Sequence, residues 1–397
     1  MQQERAKPGG ARLVSLDGLR GWAAVAVVLH HVLEVAKPSL LDAGSGPGSA
    51  WWWINETPLK LLSAGPEAVV VFFVLSGLVV ALPAFRSAAP YSWAAFLASR
   101  VVRILLPVWG ALVLASALIL LLPRPLSRAV AGGWLAESNA TTLDPAILLS
   151  EATLSRYSYD VVNTLWSLRW EMVFAVLLPL YVLAARRLPG WTAFAAGGVA
   201  AALSIVGFAT ADGSLSYLPA FFLGTLVAAN LDAVRASGSA LLARPAGPLL
   251  AALAVAISAL LLILHWLLRP VLTDATTELA LTGLATVGAT GLVVLAALPT
   301  GFARALAAPV SRLLGRISFS LYLVHVPLLA SVAFLVGQSA WPLAAVLAVP
   351  LSIAVAWLFA RVVEHPAHRL ARRVGGLVRG FADPAVRPGA PAPAERA

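Results

Sequence analysis

Two histidines, three arginines and a glutamate stand in stretches otherwise apolar enough to sit in lipid, and these are residue types that move protons and grip anions. In SLDGLRGWAAVAVVLHH, residues 15–31, Arg20 precedes His31 by eleven positions. At about 100° and 1.5 Å per residue this is about three helical turns, so both side chains share one face, the imidazole about 16 Å further in. Asp17 falls near that face one turn earlier, where it can cap the helix or pair with the arginine. His30 points about 100° away and reads as a contact to a neighbouring helix. Arg100 and Arg103, in SRVVRILLP, lie one turn apart on one face. Glu171 follows Arg169 in LWSLRWEMVFAVLLPL, and His325 lies in ISFSLYLVHVPLL. A neutral imidazole can serve as a general base, and an arginine pair can take a phosphate in bidentate fashion. Each has a plainer reading: an interhelical hydrogen bond for the histidines, anchoring at a membrane mouth for the arginines, an ion pair for Glu171. Glu364, His365 and His368, in ARVVEHPAHRLARR, resemble a metal triad only superficially. Pro366 is expected to interrupt the helix there, and no further ligand completes a set, so no metal site is assigned.

The rest of the chain decides what positions these groups. Of 397 residues 60% are hydrophobic and 12% charged, with a mean hydropathy of +0.87. Such a composition is that of an integral membrane protein, where an ionisable side chain inside a span is a functional-site candidate until a structural partner accounts for it. The absence of cysteine removes disulfides, thiolate metal sites and thiol nucleophiles.

Ten apolar runs are long enough for a span of about 20 residues. They cover 17–36, 65–85, 100–122, 166–186, 190–210, 215–234, 246–268, 276–298, 317–337 and 341–363. The fold class expected is therefore all-α, a polytopic bundle of about ten transmembrane helices with both termini on one side. Placing the termini in the cytoplasm collects Arg5, Lys7, Arg12, Arg20, Arg86, Arg100, Arg103, Arg186, Arg187, Arg235, Arg244, Arg304, Arg312, Arg316 and the tail from Arg361 there. The opposite loops hold only Lys37, Lys60, Arg124, Arg128, Arg156 and Arg269. This asymmetry follows the positive-inside rule and explains the net charge of +10 without nucleic acid as a partner. The first run carries an arginine and two histidines, so it reads as an uncleaved helix rather than a signal peptide. Residues 1–14 form an N-terminal cytoplasmic segment, 15–370 the transmembrane domain, and 371–397 a basic Pro/Ala-rich tail, disordered from Ala382. Two longer excursions, 37–64 and 123–165, face the other side. The first carries Trp51, Trp52 and Trp53 at headgroup depth; the second keeps Tyr157 and Tyr159 and reads as an ordered lip over the bundle. On this topology Glu171 lies about 7 Å inside the extracytoplasmic end of its span, and His325 about 12 Å up from the cytoplasmic start of its own, level with His31.

Taken together, SLDGLRGWAAVAVVLHH, VFFVLSGLVV, RVVR, LWSLRWE, ISFSLYLVHVPLL and VVEHP, in this order, resemble the membrane-bound acyltransferase-3 family, bacterial ten-helix proteins that acylate cell-surface sugars and some secondary metabolites. The resemblance covers nearly all of 14–366. It implies that His31 is the catalytic base of an arginine, ten residues, histidine motif begun by Arg20, and that Arg100 and Arg103 serve the acyl donor. Glu171 matches the acid of a tryptophan-serine-leucine-x-x-glutamate motif, and His325 a histidine of a late helix. Arg169 and Trp170 stand where many members carry small or aliphatic residues, which bears on the acceptor. The hydrolase-like C-terminal domain of some relatives is not expected here. The implied donor is acyl-CoA, acetyl-CoA in the commonest case, without a metal. The implied acceptor is a hydroxyl of an extracytoplasmic sugar, glycan or hydroxylated metabolite, and the implied location the cell membrane. In such a mechanism the nucleotide stays at the basic mouth, bound by Arg100, Arg103 and Arg20, while the thioester reaches mid-membrane along an open polar stripe. His31 either takes the acceptor proton or is itself acylated. Two other readings stay open on the residues alone. A proton-coupled secondary transporter would use His31, His325 and Glu171 as a relay, and a scaffold would use none of them.

Overall fold

The computed structural model describes residues 14–88, 90–155 and 159–382. Arg5, Lys7, Arg12, Arg156, Tyr157 and the chain from 383 onward lie outside the described residues. Within them the chain is helical and contains no strand. Spanning helices are α1 (Val14–Asp42), α2 (Gly65–Arg86), α3 (Trp93–Leu121), α5 (Leu165–Arg186), α6 (Trp191–Ala209), α7 (Gly213–Ala229), α8 (Gly247–Leu268), α11 (Pro309–Val336) and α12 (Trp341–Phe359), with α4 (Pro145–Ala152) in the long loop before α5. The eighth crossing is built from α9 (Ala275–Thr282) and α10 (Ala285–Ala297). At the end of the sixth, α7 bends by 75° into a short helix, Leu231–Leu242, so nine described helices are long and apolar enough to cross a membrane, or ten with this bent pair counted as one. Lipid, not water, surrounds such a bundle, so large apolar side chains face outward. Val113, Leu120 and Phe194 are among those most exposed, whereas serines and threonines such as Ser204, Thr225, Thr286 and Ser320 lie buried between helices.

Three boundaries differ from the hydropathy reading, each with consequences for the site. Helix α3 begins at Trp93, with Ser92 capping its first turn, so Arg100 and Arg103 sit about two to three turns inside the helix and not at its start. Helix α11 begins at Pro309, a residue suited to the first helical position, two turns before the apolar run. The tenth span does not stop at Pro366. Instead α12 passes through a wide turn, Ala360–Glu364, in which the His365 N–H bonds the carbonyl of Ala360, and continues as α13 (His365–Ala382). A proline ring clashes with the carbonyl four residues back in a regular helix, and a widened turn is one way to seat it without breaking the chain direction. Residues 371–382, placed in the tail by composition, are the last turns of α13.

Helices α1 and α11 form the centre, and their close approach follows from small residues. A Cβ on Gly21 would fall 2.5 Å from the Gly315 backbone nitrogen, and one on Gly315 would fall 2.3 Å from the Asp17 carbonyl oxygen. Ten residues beyond the Gly21–Gly315 contact, His31 meets His325, so the two helices run parallel in constant register. Around them pack α2 and α12, then α3 with α13, and α5 with α7. One end of this bundle, the basic end, carries Arg20, Arg86, Arg100, Arg103, Arg316 and Arg361.

Candidate active site

Parallel register brings the two mid-helix histidines face to face. His31 is 17 residues from the start of α1 and His325 is 16 from the start of α11, depths of about 25 Å and 24 Å at 1.5 Å per residue. Both are buried, and His325 Nε2 lies 3.2 Å from His31 Nδ1. The hydrogen-bond network assigns the protons. His325 Nδ1 lies 2.8 Å from the Leu321 carbonyl oxygen, which only accepts, so Nδ1 carries the hydrogen and Nε2 a lone pair. His31 Nδ1 lies 2.9 Å from the Val27 carbonyl and faces that lone pair, so it too carries hydrogen. His31 Nε2 is left as the basic nitrogen, with its ring oriented by two acceptors, the arrangement a general base requires. Trp134 covers the pair from the long loop, its ring centre 5.2 Å from that of His31. His30 instead turns to the start of α2 and packs on Gly65, a neighbour-helix contact.

At the basic end two adjoining cavities open. The outer, about 810 Å³, is lined by six arginines, Arg20, Arg86, Arg103, Arg316, Arg361 and Arg372, against two acids, Asp17 and Glu364. The inner, about 310 Å³, runs between α1, α2, α3, α5 and α11 and contains Arg20, Arg100, Arg103 and Glu171. Arg20 is fixed to α11, its Nε donating to Ser318 Oγ at 2.9 Å and a terminal nitrogen to the Gly315 carbonyl at 3.1 Å. Glu364 accepts from Ser320 and lies 3.9 Å from His368, so the wide turn of α12 places a carboxylate on the cavity wall.

Glu171 departs from its expected place. Thr164, just before α5, donates to the carbonyl of Tyr322, thirteen residues and about 20 Å along α11. Helix α5 therefore starts near mid-depth, and its first turns carry Glu171 towards the basic end, not to the opposite rim. There Glu171 forms an ion pair with Arg100 at 2.8 Å and accepts from Ser76 Oγ at 3.1 Å. The paired arginines consequently differ: Arg100 is engaged by a carboxylate, while Arg103 is exposed and lines both cavities. Arg169, two residues before Glu171 in α5, has its guanidinium 5.5 Å from the Trp170 ring.

The polar stripe along α1 is not an open passage. Between Arg20 and His31 the same face presents Ala24, Val27 and Val28, all buried, because α1 is held close to α11 along this stretch. The inner cavity reaches depth by another route, between α2, α5 and α11, and ends at Ser167 and Tyr322. The Tyr322 ring centre lies 6.2 Å from that of His325, so the histidines stand immediately behind this wall and do not themselves line the cavity.

Residues outside the sequence reading complete the site. Ser167 and Tyr322 lie within the quoted segments, but a serine and a tyrosine in a span read as packing until their partners are known. Glu151 of α4, fully buried, accepts from three successive backbone amides, Asp160, Val161 and Val162, at 2.9–3.1 Å. Burial raises its pKa, while those amides pull it down. This cradle sets the chain leading to Asn163, whose side-chain amide donates to the Tyr159 carbonyl, and to Thr164 on Tyr322. Arg124, buried in the same loop, donates to the carbonyl of Ala140 and to Ser331 of α11. Burial lowers its pKa to about 10. Elsewhere, Glu67 accepts from Trp266 and faces His265, beside a buried Lys60 lying 3.7 Å over the Trp266 ring, a cluster that ties the first excursion to α2 and α8.

No curated protein and no solved structure matches the sequence. Residues 13–361 match the Acyltransferase domain family, from the first turn of α1 to the wide turn after α12. A match of that extent identifies the chain as a member of this family and as a membrane acyltransferase.

Proposed function

We propose that the protein takes an acyl group, acetyl in the simplest case, from acyl-CoA bound at the basic end. It passes the group to a hydroxyl of a sugar, glycan or hydroxylated metabolite reaching the histidines from the opposite face. In this reading the basic end is cytoplasmic, both termini lie there, and the membrane is the cell membrane. The observation that carries it is the continuity of a six-arginine vestibule with a narrower cavity ending one helical turn from the histidine pair. Such a vestibule suits a nucleotide that carries several phosphate charges, through charge-assisted and bidentate hydrogen bonds. The narrower cavity suits the flexible thiol arm.

For the thioester to reach the histidines the Ser167–Tyr322 wall at the far end must give way; His31 Nε2 then takes the acceptor proton as the hydroxyl oxygen attacks the thioester carbonyl. The charge that develops on His31 is shared through its Nδ1–H with His325 Nε2. The carbon–sulfur bond then breaks, and the imidazolium returns its proton to the departing thiolate, leaving both histidines as they began. General-base assistance of this kind contributes about 10² to 10⁴ in rate.

Purified protein in detergent, given acetyl-CoA and a panel of mono- and disaccharides and isolated surface glycans, tests the proposal. Free thiol and a base-labile ester should appear in equal amounts, and His31→Gln should lower both by about 10²-fold or more. Absence of acetyl-CoA consumption with every acceptor, as a transporter would give, or unchanged turnover by His31→Gln, would overturn it.

A further inference from the structure

The wall at the end of the inner cavity is made of hydroxyl groups, and counting their protons shows which one is available. Tyr322 is buried, with its hydroxyl 2.7 Å from Ser167 Oγ. Ser167 has one hydroxyl hydrogen and gives it to the Thr164 carbonyl at 3.1 Å. The short contact can then be satisfied only with Tyr322 as donor and Ser167 as acceptor. The other end of the same tyrosine is gripped too, because its carbonyl accepts from Thr164 Oγ1 at 3.1 Å. One turn at the start of α5 thus fixes both the backbone and the phenol of a residue on α11. The ring is wedged between Phe72, 5.6 Å away between centres, and His325, 6.2 Å away.

An interhelical tie would explain a single hydrogen bond. It does not explain why the phenol and its partner form the blind end of a cavity that begins among arginines, one step from two imidazoles. Acyl transfer needs a hydrogen-bond donor for the oxygen on which charge develops, and tyrosine and serine hydroxyls commonly supply one. The first turn of α5, the positive end of its dipole, favours negative charge at this place.

Resting on the acyl-transfer reading above, we propose that Tyr322 is a catalytic residue whose hydroxyl turns from Ser167 to the thioester carbonyl oxygen and stabilises the oxyanion. As the acceptor oxygen bonds to the carbonyl carbon, the carbonyl π pair moves to oxygen and is met by the Tyr322 O–H. When the pair returns, the carbon–sulfur bond breaks and the phenol swings back to Ser167. Tyr322 keeps its proton throughout, and the transferred proton travels by way of His31.

Full-length protein in detergent, with acetyl-CoA, the panel of saccharide and glycan acceptors, and thiol release as readout, tests this with two variants. Tyr322→Phe keeps the ring and its packing and should lower kcat about 10²- to 10³-fold, the usual cost of one oxyanion donor, with KM for acetyl-CoA within about two-fold. A fluorotyrosine introduced at position 322 keeps a donor of the same shape and a more acidic phenol. It should retain kcat within about ten-fold, because the hydrogen-bond donor is kept. Unchanged kcat in Tyr322→Phe, a loss expressed only in KM, or equal losses in the two variants would overturn the assignment while leaving acyl transfer in place. Wild-type protein that releases no thiol would overturn acyl transfer itself and this assignment with it.

Discussion

Arg100 and Arg103 are one turn apart, yet only one of them has its charge met by a carboxylate, and this difference divides their roles. Removing Arg100 strands Glu171 in a mostly buried place, and removing the glutamate strands the arginine. The pair should therefore behave as a unit. In a double-mutant cycle of Arg100→Ala and Glu171→Gln, the double variant should lose less stability than the two single losses combined, with a coupling of about 0.5–3 kcal/mol in thermal unfolding. Additive losses would mean that the two act separately. Arg103 faces the cavities with its charge exposed, so Arg103→Ala should raise KM for acetyl-CoA by about ten-fold or more at little cost in kcat, as loss of a charge-assisted bond worth about 1.5–3 kcal/mol would do. The sequence could put His31 and His325 at one depth, because depth follows from counting residues along a helix. Whether they face one another depends on the rotation of one helix about the other, fixed by the Gly21–Gly315 contact, which no single segment encodes. Tyr322 was hidden for a related reason. Its donor role emerges only from the hydroxyl hydrogen that Ser167 spends on Thr164.

Among the elements, the long loop before α5 contributes most beyond hydropathy. It begins α5 near mid-depth, brings Trp134 to the histidines, and is strapped to α11 by Arg124 and Thr164. A hydropathy window finds the apolar run of α5 but has no measure of where in the membrane that run starts, so Glu171 was expected at the wrong rim. Likewise, Pro366 signals a break in one sequence, and the widened turn that absorbs it leaves no local signature. The Glu151 cradle should be a weak point. Glu151→Gln presents an amide N–H₂ to at least one backbone N–H and should destabilise the loop by about 1–3 kcal/mol, the cost of an unmet buried donor. Hydrogen exchange at the amides of Asp160, Val161 and Val162 measures this directly. The folded-state pKa of Glu151 is raised, so the folded loop binds its proton more tightly than the unfolded one. Its contribution is then largest below the unfolded value and declines as pH rises through the folded one. Exchange corrected for intrinsic rates should accordingly slow on acidification in the wild type and not in Glu151→Gln.

At the scale of the whole molecule, the helix count and the charge asymmetry were legible because both follow from composition averaged over long windows. The route through the bundle was not, since it runs between α2, α5 and α11 and not along α1. The chain has no cysteine, so any introduced cysteine is a unique reporter of orientation. In intact cells a membrane-impermeant maleimide should label Ser45→Cys, in the loop after α1, and not Ser239→Cys, near the basic end; the reverse pattern would invert the proposed topology. The most direct test of the account as a whole uses inside-out membrane vesicles supplied with acetyl-CoA labelled in its acetyl group, the nucleotide then having access only to the original cytoplasmic face. Base-labile label should appear on glycans enclosed in the vesicle lumen when the wild-type protein is present and fall to background with His31→Gln. Equal labelling with the two proteins, or label confined to the outer solution, would contradict transfer through the histidine pair.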